Sequence, residues 1–272
     1  MSKSSSSSQG AGEFRFGRAV LGSGVTIHYA QRGEGVGPPL VFLHGYGDSW
    51  RSFTRVFEFL SKTRRIVAPD LRGHGDSDKP RSGYVLADYA RDLLLLLDSL
   101  GFEKIDLVGH SMGSLIAQLF AAIFPERVGR LALVSSASAL TGKASLLEMK
   151  PQIDALEDPI SRSFAAEFQA TSNPVPADFM EMIVEETMKV PAHIWRSVLS
   201  GLLEVDNRGI LRDICAQTLL LWGNQDQLFT RADQEALLSH IAGSKLEEFD
   251  AGHSPHWEKP EEIARVLEEF LG

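Results

Sequence analysis

The stretch Val108-Gly109-His110-Ser111-Met112-Gly113 decides the fold of this chain. The apolar run that precedes it, residues 104–108, predicts a short buried strand, and residues 114–124 have the apolar spacing of a helix. A serine between two glycines at a strand-to-helix turn is the nucleophile-elbow pattern, G-x-S-x-G. Such a turn is so tight that both glycines must lack side chains, and its strained backbone exposes the serine hydroxyl. Ser111 is therefore the candidate nucleophile.

Composition and charge limit the classes of protein that this chain can be. Its 272 residues are 43% hydrophobic, which fits one large globular domain with an insertion. The net charge of −9, with scattered lysines and arginines, argues against a nucleic-acid partner. The single cysteine, Cys215, rules out an internal disulfide framework and is predicted to be a small buried apolar residue. The longest apolar run, residues 93–97, is far too short to span a bilayer.

These properties predict a cytoplasmic monomer or homodimer that binds neither nucleic acid nor membrane. The Ser- and Gly-rich residues 1–12 lack the apolar segment of a signal peptide and are predicted to be a disordered tail.

Strands and helices alternate along most of the remaining sequence. Residues 14–21 and 25–32 alternate polar and apolar around a Gly-Ser-Gly turn, which predicts an antiparallel hairpin. Continuous apolar runs predict strands that are buried on both faces, and amphipathic spacing predicts the helices between them. The predicted strands are 40–43, 65–68, 104–108, 131–135, 218–222 and 245–249; the predicted helices are 50–61, 86–100, 114–124, 232–241 and 260–271.

This alternation stops between residues 137 and 213, where helical spacing and five prolines occur without a convincing strand. We therefore predict a core formed by residues 13–136 and 214–272, with a helical insertion over 137–213. Buried strands alternating with helices indicate an α/β fold with a mostly parallel, doubly wound sheet. Active sites in such sheets lie beyond the carboxyl ends of the strands, and the polar loops of this chain follow strands.

A serine nucleophile needs a base, usually histidine, which is itself oriented by a carboxylate. In the fold that the elbow suggests, the chain order is serine, acid, histidine. Asp226 fits the acid because it follows the late strand 218–222. The alternatives are less well placed. Asp206 and Asp213 lie in or at the edge of the insertion, and Asp250 lies too close to the histidine loop.

His253 fits the base because it follows the last strand, after Gly252. His256 lies in the same loop and is its only serious rival. Three other histidines at strand ends come too early in the chain order and are predicted to shape loops by hydrogen bonding: His44, His74 and His110. The histidines show no metal-ligand spacing, so neither a metal nor a cofactor is predicted.

Two backbone N–H groups are candidates for stabilising an oxyanion. Met112 lies at the start of the helix after the elbow, where its N–H has no helical partner. Tyr46 lies in the loop after the strand 40–43, between Gly45 and Gly47, which allow the backbone to approach the site closely.

The ordered motifs resemble those of the α/β-hydrolase superfamily: His44-Gly45-x-Gly47, Asp70-x-Arg72-Gly73-x-Gly75-x-Ser77, Gly109-x-Ser111-x-Gly113, Asp226, and Gly252-His253 followed by Glu258-x-Pro260. The branch resembled is that of small serine esterases, lactonases and perhydrolases with a helical cap. The resemblance implies an α/β-hydrolase fold, a Ser111–His253–Asp226 triad and an oxyanion hole formed by Tyr46 and Met112. It also implies that residues 137–213 are the cap. Haloalkane dehalogenases and epoxide hydrolases, which are also relatives, carry aspartate at the position of Ser111, so their chemistry is disfavoured.

The predicted cap supplies the only hint about the substrate. Its larger apolar residues either pack the cap on the core or line a pocket for an uncharged, moderately apolar group: Phe164, Phe168, Phe179, Met180, Met182, Ile183, Trp195, Leu199 and Leu202. Among all the candidates for substrate contact we single out His110, Trp195 and Met180.

Three functions fit these residues. The first is a serine hydrolase that cleaves a carboxylic ester or lactone through an acyl-enzyme, without a cofactor. The second uses the same residues to hydrolyse a carbon–carbon bond in a vinylogous diketone, as meta-cleavage-product hydrolases do, but no carboxylate clamp is identifiable here. The third is a non-catalytic ligand-binding protein on a hydrolase shell, which the intact triad disfavours.

Overall fold

The structure is a computed structural model that describes residues 13–272, so the predicted disordered tail over residues 1–12 lies outside it. The strands among these residues are β1 (Arg15–Val20), β2 (Thr26–Arg32), β3 (Leu40–Leu43), β4 (Ile66–Pro69), β5 (Ile105–His110), β6 (Val128–Val134), β7 (Gln217–Gly223) and β8 (Lys245–Phe249). They form one sheet in the order β1-β2-β4-β3-β5-β6-β7-β8. β1 pairs with β2, and β2 with β4, in antiparallel register, whereas all pairs from β4 to β8 are parallel. The predicted hairpin and the mostly parallel sheet are confirmed.

The α helices of residues 13–272 are α1 (Thr54–Phe57), α2 (Leu86–Ser99), α3 (Met112–Ile123), α4 (Ala144–Asp154), α5 (Arg162–Phe168), α6 (Ala177–Met188), α7 (Ala192–Leu203), α8 (Arg231–His240), α9 (Pro255–Glu258) and α10 (Pro260–Leu271). The helix predicted over residues 50–61 is shorter. A 3-10 turn at Trp50–Phe53 leads into α1, and beyond α1 the N–H of Phe59 bonds the carbonyl oxygen of Val56, three residues back. This tighter bonding ends the helix early.

The apolar core lies on both faces of the sheet. Along β3, Val41 and Leu43 pack into the layer under α2 and α3, whereas Leu40 and Phe42 pack into the layer under α1 and α10. All four side chains are fully buried, and burying each one contributes about 1.5–3 kcal/mol. Double-sided burial explains why β3 is apolar at every position. Because β3 to β8 run parallel, their carboxyl ends lie at one edge of the sheet, where the polar loops emerge.

Helices α4 to α7 lie between β6 and β7 in the chain, with α4 packed on α7 and α5 on α6. Side chains of α7 join the core layer of α2 and α3. Cys215 corrects one expectation: it is exposed, because it lies in the turn that leads from this segment into β7. None of the helices in the described part of the chain is both long enough and apolar enough to cross a membrane.

Candidate active site

The turn at Ser111 has the backbone of a strained elbow. Ser111 joins β5 to α3 with φ of 52° and ψ of −118°, a conformation that non-glycine residues rarely adopt. A Cβ atom at Gly109 would lie 2.4 Å from the carbonyl oxygen of Gly113, and one at Gly113 would lie 2.2 Å from that of Leu43. Only glycine therefore fits on either side of the serine.

Ser111, His253 and Asp226 form one hydrogen-bonded chain. The Oγ atom of Ser111 lies 3.0 Å from Nε2 of His253, and Nδ1 of His253 lies 2.8 Å from Oδ2 of Asp226. Asp226 follows β7 and His253 follows β8, so adjacent parallel strands deliver the two side chains to one edge. An imidazole held in this way can remove a proton from a serine hydroxyl.

The carboxylate of Asp226 is held by more than the histidine. Its side chain is fully buried, and Oδ1 accepts the backbone N–H groups of Leu228 at 2.8 Å and Phe229 at 3.1 Å. Burial alone raises the pKa of this carboxyl group, but the charge and hydrogen bond of His253 and the two N–H groups together lower it below its ordinary value. Asp226 is therefore ionised and oriented toward His253.

The other acids considered for this position lie elsewhere. Asp206 is paired with Arg208, and Asp250 accepts a hydrogen bond from the side chain of Gln225 at 2.6 Å. Asp213 is exposed, beside Cys215.

His256 does not reach Ser111. It is fully buried, and its Nε2 lies 3.0 Å from Oγ of Ser52. Burial lowers the pKa of His256 far below the ordinary value, and the neighbouring imidazoles of His110 and His253 lower it further. Of the two rival histidines, the structure brings His253 to the serine and places His256 beneath the site.

The loop after β3 presents an N–H group next to the elbow. A Cβ atom at Gly45 would lie 3.4 Å from Cβ of Ser111, so this loop packs directly against the serine. His44 accepts the N–H of Leu71 on Nε2 at 2.9 Å and therefore donates from Nδ1 to the carbonyl oxygen of Gly45 at 2.8 Å. In a trans peptide the N–H points opposite to the carbonyl, so the Tyr46 N–H is directed away from His44.

Neither of the two predicted oxyanion donors is used elsewhere in the described chain. Within residues 13–272, the backbone N–H groups of Tyr46 and Met112 donate to no carbonyl oxygen and no side chain. Met112 begins α3, so its N–H also lies at the positive end of the helix dipole. Both groups remain available to an oxyanion that forms at Ser111.

A mostly apolar cavity of about 140 Å³ opens onto Ser111 and His253. Its wall comes from the loops at the strand ends and from α3, α4, α5, α7 and α9. The wall residues are Gly45, Tyr46, Asp48, His110, Ser111, Met112, Leu115, Leu140, Leu146, Met149, Phe168, Gln169, Ala170, Leu202, Leu228, Phe229, His253, Ser254 and Trp257.

Two of the three residues predicted to contact substrate are not in this wall. Trp195 is fully buried and packs against the rings of Tyr46 and Phe168, which themselves line the cavity. Met180 packs in a separate apolar cluster that includes Trp257. Of the apolar residues considered in the predicted cap, Phe168 and Leu202 do line the cavity.

The third candidate, His110, does line the cavity and also supports the histidine loop. It is the last residue of β5 rather than a loop residue, and its Nε2 lies 3.0 Å from the carbonyl oxygen of His253. Burial, with a further contribution from His253, lowers the pKa of His110 to about 3. The ring is therefore neutral and holds the backbone of His253 by a hydrogen bond.

Three polar residues of the wall were not predicted from the sequence to lie there: Asp48, Gln169 and Ser254. Asp48 follows β3 in the same loop as Tyr46, and that position was the available signal. Gln169 follows α5 in a segment without any sequence signal.

In the described part of the chain, one group of side chains lies close enough together to hold a metal ion: His28, Asp70 and Asp76. Oδ2 of Asp70 instead accepts hydrogen bonds from Nδ1 of His28 at 2.8 Å and from the N–H of Asp76 at 2.9 Å. This cluster contributes nothing to the cavity wall.

Comparison with known proteins agrees with this architecture. The family model described as the alpha/beta hydrolase fold matches residues 38–260. The chain belongs to this family. It is 31% identical over 272 residues to 2-hydroxymuconate semialdehyde hydrolase of a Pseudomonas species, covering 92% of this chain and 90% of that protein. It is 27% identical over 261 residues to 3-oxoadipate enol-lactonase 2 of Acinetobacter baylyi, covering 95% and 97%.

Among solved structures, the enol-lactonase of Burkholderia xenovorans superposes on the chain with a TM-score of 0.83 and 25% identity, covering 94% of this chain and 99% of that one. Fold and relatives agree on a hydrolase as the class of enzyme.

Proposed function

We propose that this α/β hydrolase is a serine hydrolase that cleaves a carboxylic ester or lactone of an uncharged, moderately apolar substrate. One observation carries the proposal: the Ser111–His253–Asp226 hydrogen-bonded chain opens onto an apolar cavity. The esterase and lactonase activities named for structurally similar proteins support it.

The reaction has two halves. Ser111 Oγ attacks the ester carbonyl carbon while His253 Nε2 takes the hydroxyl proton, and the N–H groups of Tyr46 and Met112 stabilise the oxyanion. The oxyanion collapses, the C–O bond to the alcohol breaks, and His253 returns its proton to the leaving oxygen. Water then attacks the acyl-enzyme with the same proton transfers and releases the acid and Ser111.

An uncharged substrate follows from the charges of the wall. The wall formed by the described residues contains no lysine and no arginine. Behind the wall, Lys143 lies over the ring of Phe229 and is paired with Asp233 at 2.7 Å. A substrate carboxylate would therefore be buried without a counter-charge, which costs several kcal/mol.

The second candidate function is that of a carbon–carbon bond hydrolase, which the similarity to 2-hydroxymuconate semialdehyde hydrolase supports. The charges of the cavity wall bear on this function too. A dienoate substrate carries a carboxylate, and this wall offers it no cation. Comparing turnover of nitrophenyl esters with that of a ring-cleavage dienoate separates the two functions. A non-catalytic binding protein would turn over neither.

The size of the cavity favours a short enclosed group. Its 140 Å³ is close to the roughly 150 Å³ of an engineered protein cavity that holds benzene. We therefore propose that the enclosed acyl or alkyl group contains about six carbon atoms or fewer.

A fluorophosphonate probe tests the proposed nucleophile. We expect it to label Ser111 in the wild type, and we expect Ser111→Ala to lose both labelling and ester turnover. Ser254→Ala removes another serine of the cavity wall and should keep the label. Robust ester turnover by Ser111→Ala would falsify the proposed mechanism.

A further inference from the structure

Asp48 is a buried acid of the cavity wall that the proposed reaction does not use. It lies in the loop after β3, where its N–H donates to the carbonyl oxygen of Gly45 at 3.3 Å. Only 2% of the residue is exposed. Its Oδ2 accepts a hydrogen bond from Oγ of Ser52 at 2.9 Å, whereas Oδ1 has no hydrogen-bond partner among the described residues.

No cation balances this carboxyl group in the part of the chain that the structure describes. The charged group that faces it from α6 is Glu186, another acid, whose own partners are Arg51 and Lys189. From α9, His256 reaches Ser52 rather than Asp48. Burial, opposed by the Ser52 hydrogen bond and reinforced by Glu186, raises the pKa of Asp48 to about 8. Asp48 is therefore neutral at pH 7.

The hydrogen bonds of Ser52 indicate which oxygen carries the proton. Ser52 Oγ lies 3.0 Å from Nε2 of His256 and 3.0 Å from Nε1 of Trp257, a donor that it shares with the carbonyl oxygen of Ser52 at 2.9 Å. Nδ1 of His256 has no partner among the described residues, and a buried N–H without an acceptor is rarer than a lone pair without a donor. This assigns the imidazole proton to Nε2. Ser52 then accepts twice and donates its single proton to Oδ2 of Asp48, which leaves the carboxyl proton on Oδ1.

A second polar group lies near Asp48 in the wall. Nε2 of Gln169 donates to Oγ1 of Thr187 at 2.8 Å and approaches the carbonyl oxygen of Gly47 at 3.5 Å. These contacts place Gln169 beside the loop that carries Asp48. The otherwise apolar cavity thus contains a polar region formed by an amide and a neutral carboxyl group.

We propose that Asp48 determines specificity by donating a hydrogen bond from Oδ1 to an oxygen atom in the part of the substrate that the cavity encloses. The preferred substrates are then esters whose enclosed chain carries an ether or carbonyl oxygen, rather than hydrocarbon chains of the same length. This inference rests on the proposed ester hydrolysis.

Matched esters test it. The 4-nitrophenyl esters of pentanoate, 3-methoxypropanoate and ethoxyacetate have acyl chains of equal length, and the last two replace one methylene group by oxygen. For each variant we form the ratio of kcat/KM for each ether ester to that for pentanoate, so that differences in intrinsic ester reactivity cancel between variants. We expect Asp48→Ala to lower the ratio about tenfold or more for at least one ether ester.

Two variants complete the design. Asp48→Asn keeps the side-chain volume and a hydrogen-bond donor, so its ratios should stay within about threefold of the wild type. If Asp48→Ala fails to fold, Asp48→Asn and the infrared measurement below still test the proposal. Leu146→Ala enlarges the wall without removing a polar group and should leave the ratios unchanged. An infrared carbonyl band of a protonated carboxyl group at pH 6, present in the wild type and absent from Asp48→Asn, gives a readout independent of turnover.

The outcomes separate the two proposals. If the wild type hydrolyses all three esters and Asp48→Ala keeps both ratios, the Asp48 proposal is overturned and the hydrolase proposal stands. The proposal that Asp48 is a neutral hydrogen-bond donor is overturned if the ratios in Asp48→Asn are as low as those in Asp48→Ala. It is also overturned if the wild type lacks the infrared band. If the wild type hydrolyses no ester, both proposals fail.

Discussion

The hydroxyl group of Tyr46 donates a hydrogen bond to the backbone carbonyl oxygen of Trp195. Their rings also pack at a centroid distance of 4.5 Å, and a Cβ atom at Gly47 would lie 2.4 Å from the Trp195 ring. Gly47 has φ of 76°, which favours glycine as well. These contacts join the loop after β3 to α7, so the position of the proposed oxyanion donor depends on a helix from another part of the chain.

Tyr46→Phe should therefore lower catalysis more than binding. The change removes the bond to Trp195 but keeps the ring and the backbone N–H. We expect kcat for ester hydrolysis to fall about tenfold with little change in KM, and the free energy of unfolding to fall by about 1 kcal/mol. Tyr84→Phe is the matched control, because Tyr84 donates to the carbonyl oxygen of Pro80 outside the cavity wall. Equal kcat values for the two variants would contradict the role of this bond.

The two histidines of the last loop should respond differently to substitution. His253→Ala removes the proposed base and should lower kcat on the order of 10⁴-fold. His256→Ala removes a buried hydrogen bond to Ser52 and should lower Tm while keeping most of the rate. An inactive His256→Ala beside a merely impaired His253→Ala would reverse the assignment.

Substitution of a wall residue should change the preferred acyl-chain length, whereas substitution of a residue behind the wall should change mainly the stability. Leu146→Ala removes a side chain of the wall, so we expect the preferred acyl chain to lengthen by about two carbon atoms. Trp195→Ala removes a fully buried side chain behind the wall and should cost about 3–5 kcal/mol of unfolding free energy. The acyl-length profile at 15 °C and the Tm of both variants check this. If Trp195→Ala changed the acyl-length profile more than Leu146→Ala does, Trp195 rather than Leu146 would line the cavity.

Buried neutral histidines should make the fold sensitive to acid. Burial lowers the pKa of His44 to about 4 and those of His74 and His110 to about 3, below the ordinary histidine value of 6.5. The unfolded chain then binds more protons than the native state below pH 6.5, so stability is fully present above that pH and is lost as the pH falls toward the folded values. Between pH 6.5 and 4.5 each histidine should remove about 2–3 kcal/mol.

Urea unfolding at several pH values measures this loss. His74→Gln should reduce proton uptake on unfolding at pH 5 by about one proton relative to the wild type. Unfolding free energies that do not change between pH 7 and 4.5 would rule out neutral buried histidines.

Much of the fold was predictable from the sequence because its signals are local. The apolar runs of β3 and β5 indicate strands buried on both faces, and the glycines around Ser111 reflect clashes within one tight turn. The elbow and the order of the polar loops along the chain predicted Ser111, Asp226 and a histidine of the last loop, because parallel strands bring their carboxyl ends to the same edge.

The tertiary structure alone decided which side chains face the cavity and which groups are charged. His253 and His256 are three residues apart, and only contacts with distant residues, Ser111 for one and Ser52 for the other, distinguish them. Trp195, predicted to contact substrate, packs behind the wall for the same reason, and Asp48, for which no role was predicted, lies in the wall. Burial and the absence of a counter-charge depend on packing between segments far apart in the chain, and neither hydrophobic periodicity nor motif spacing records that packing.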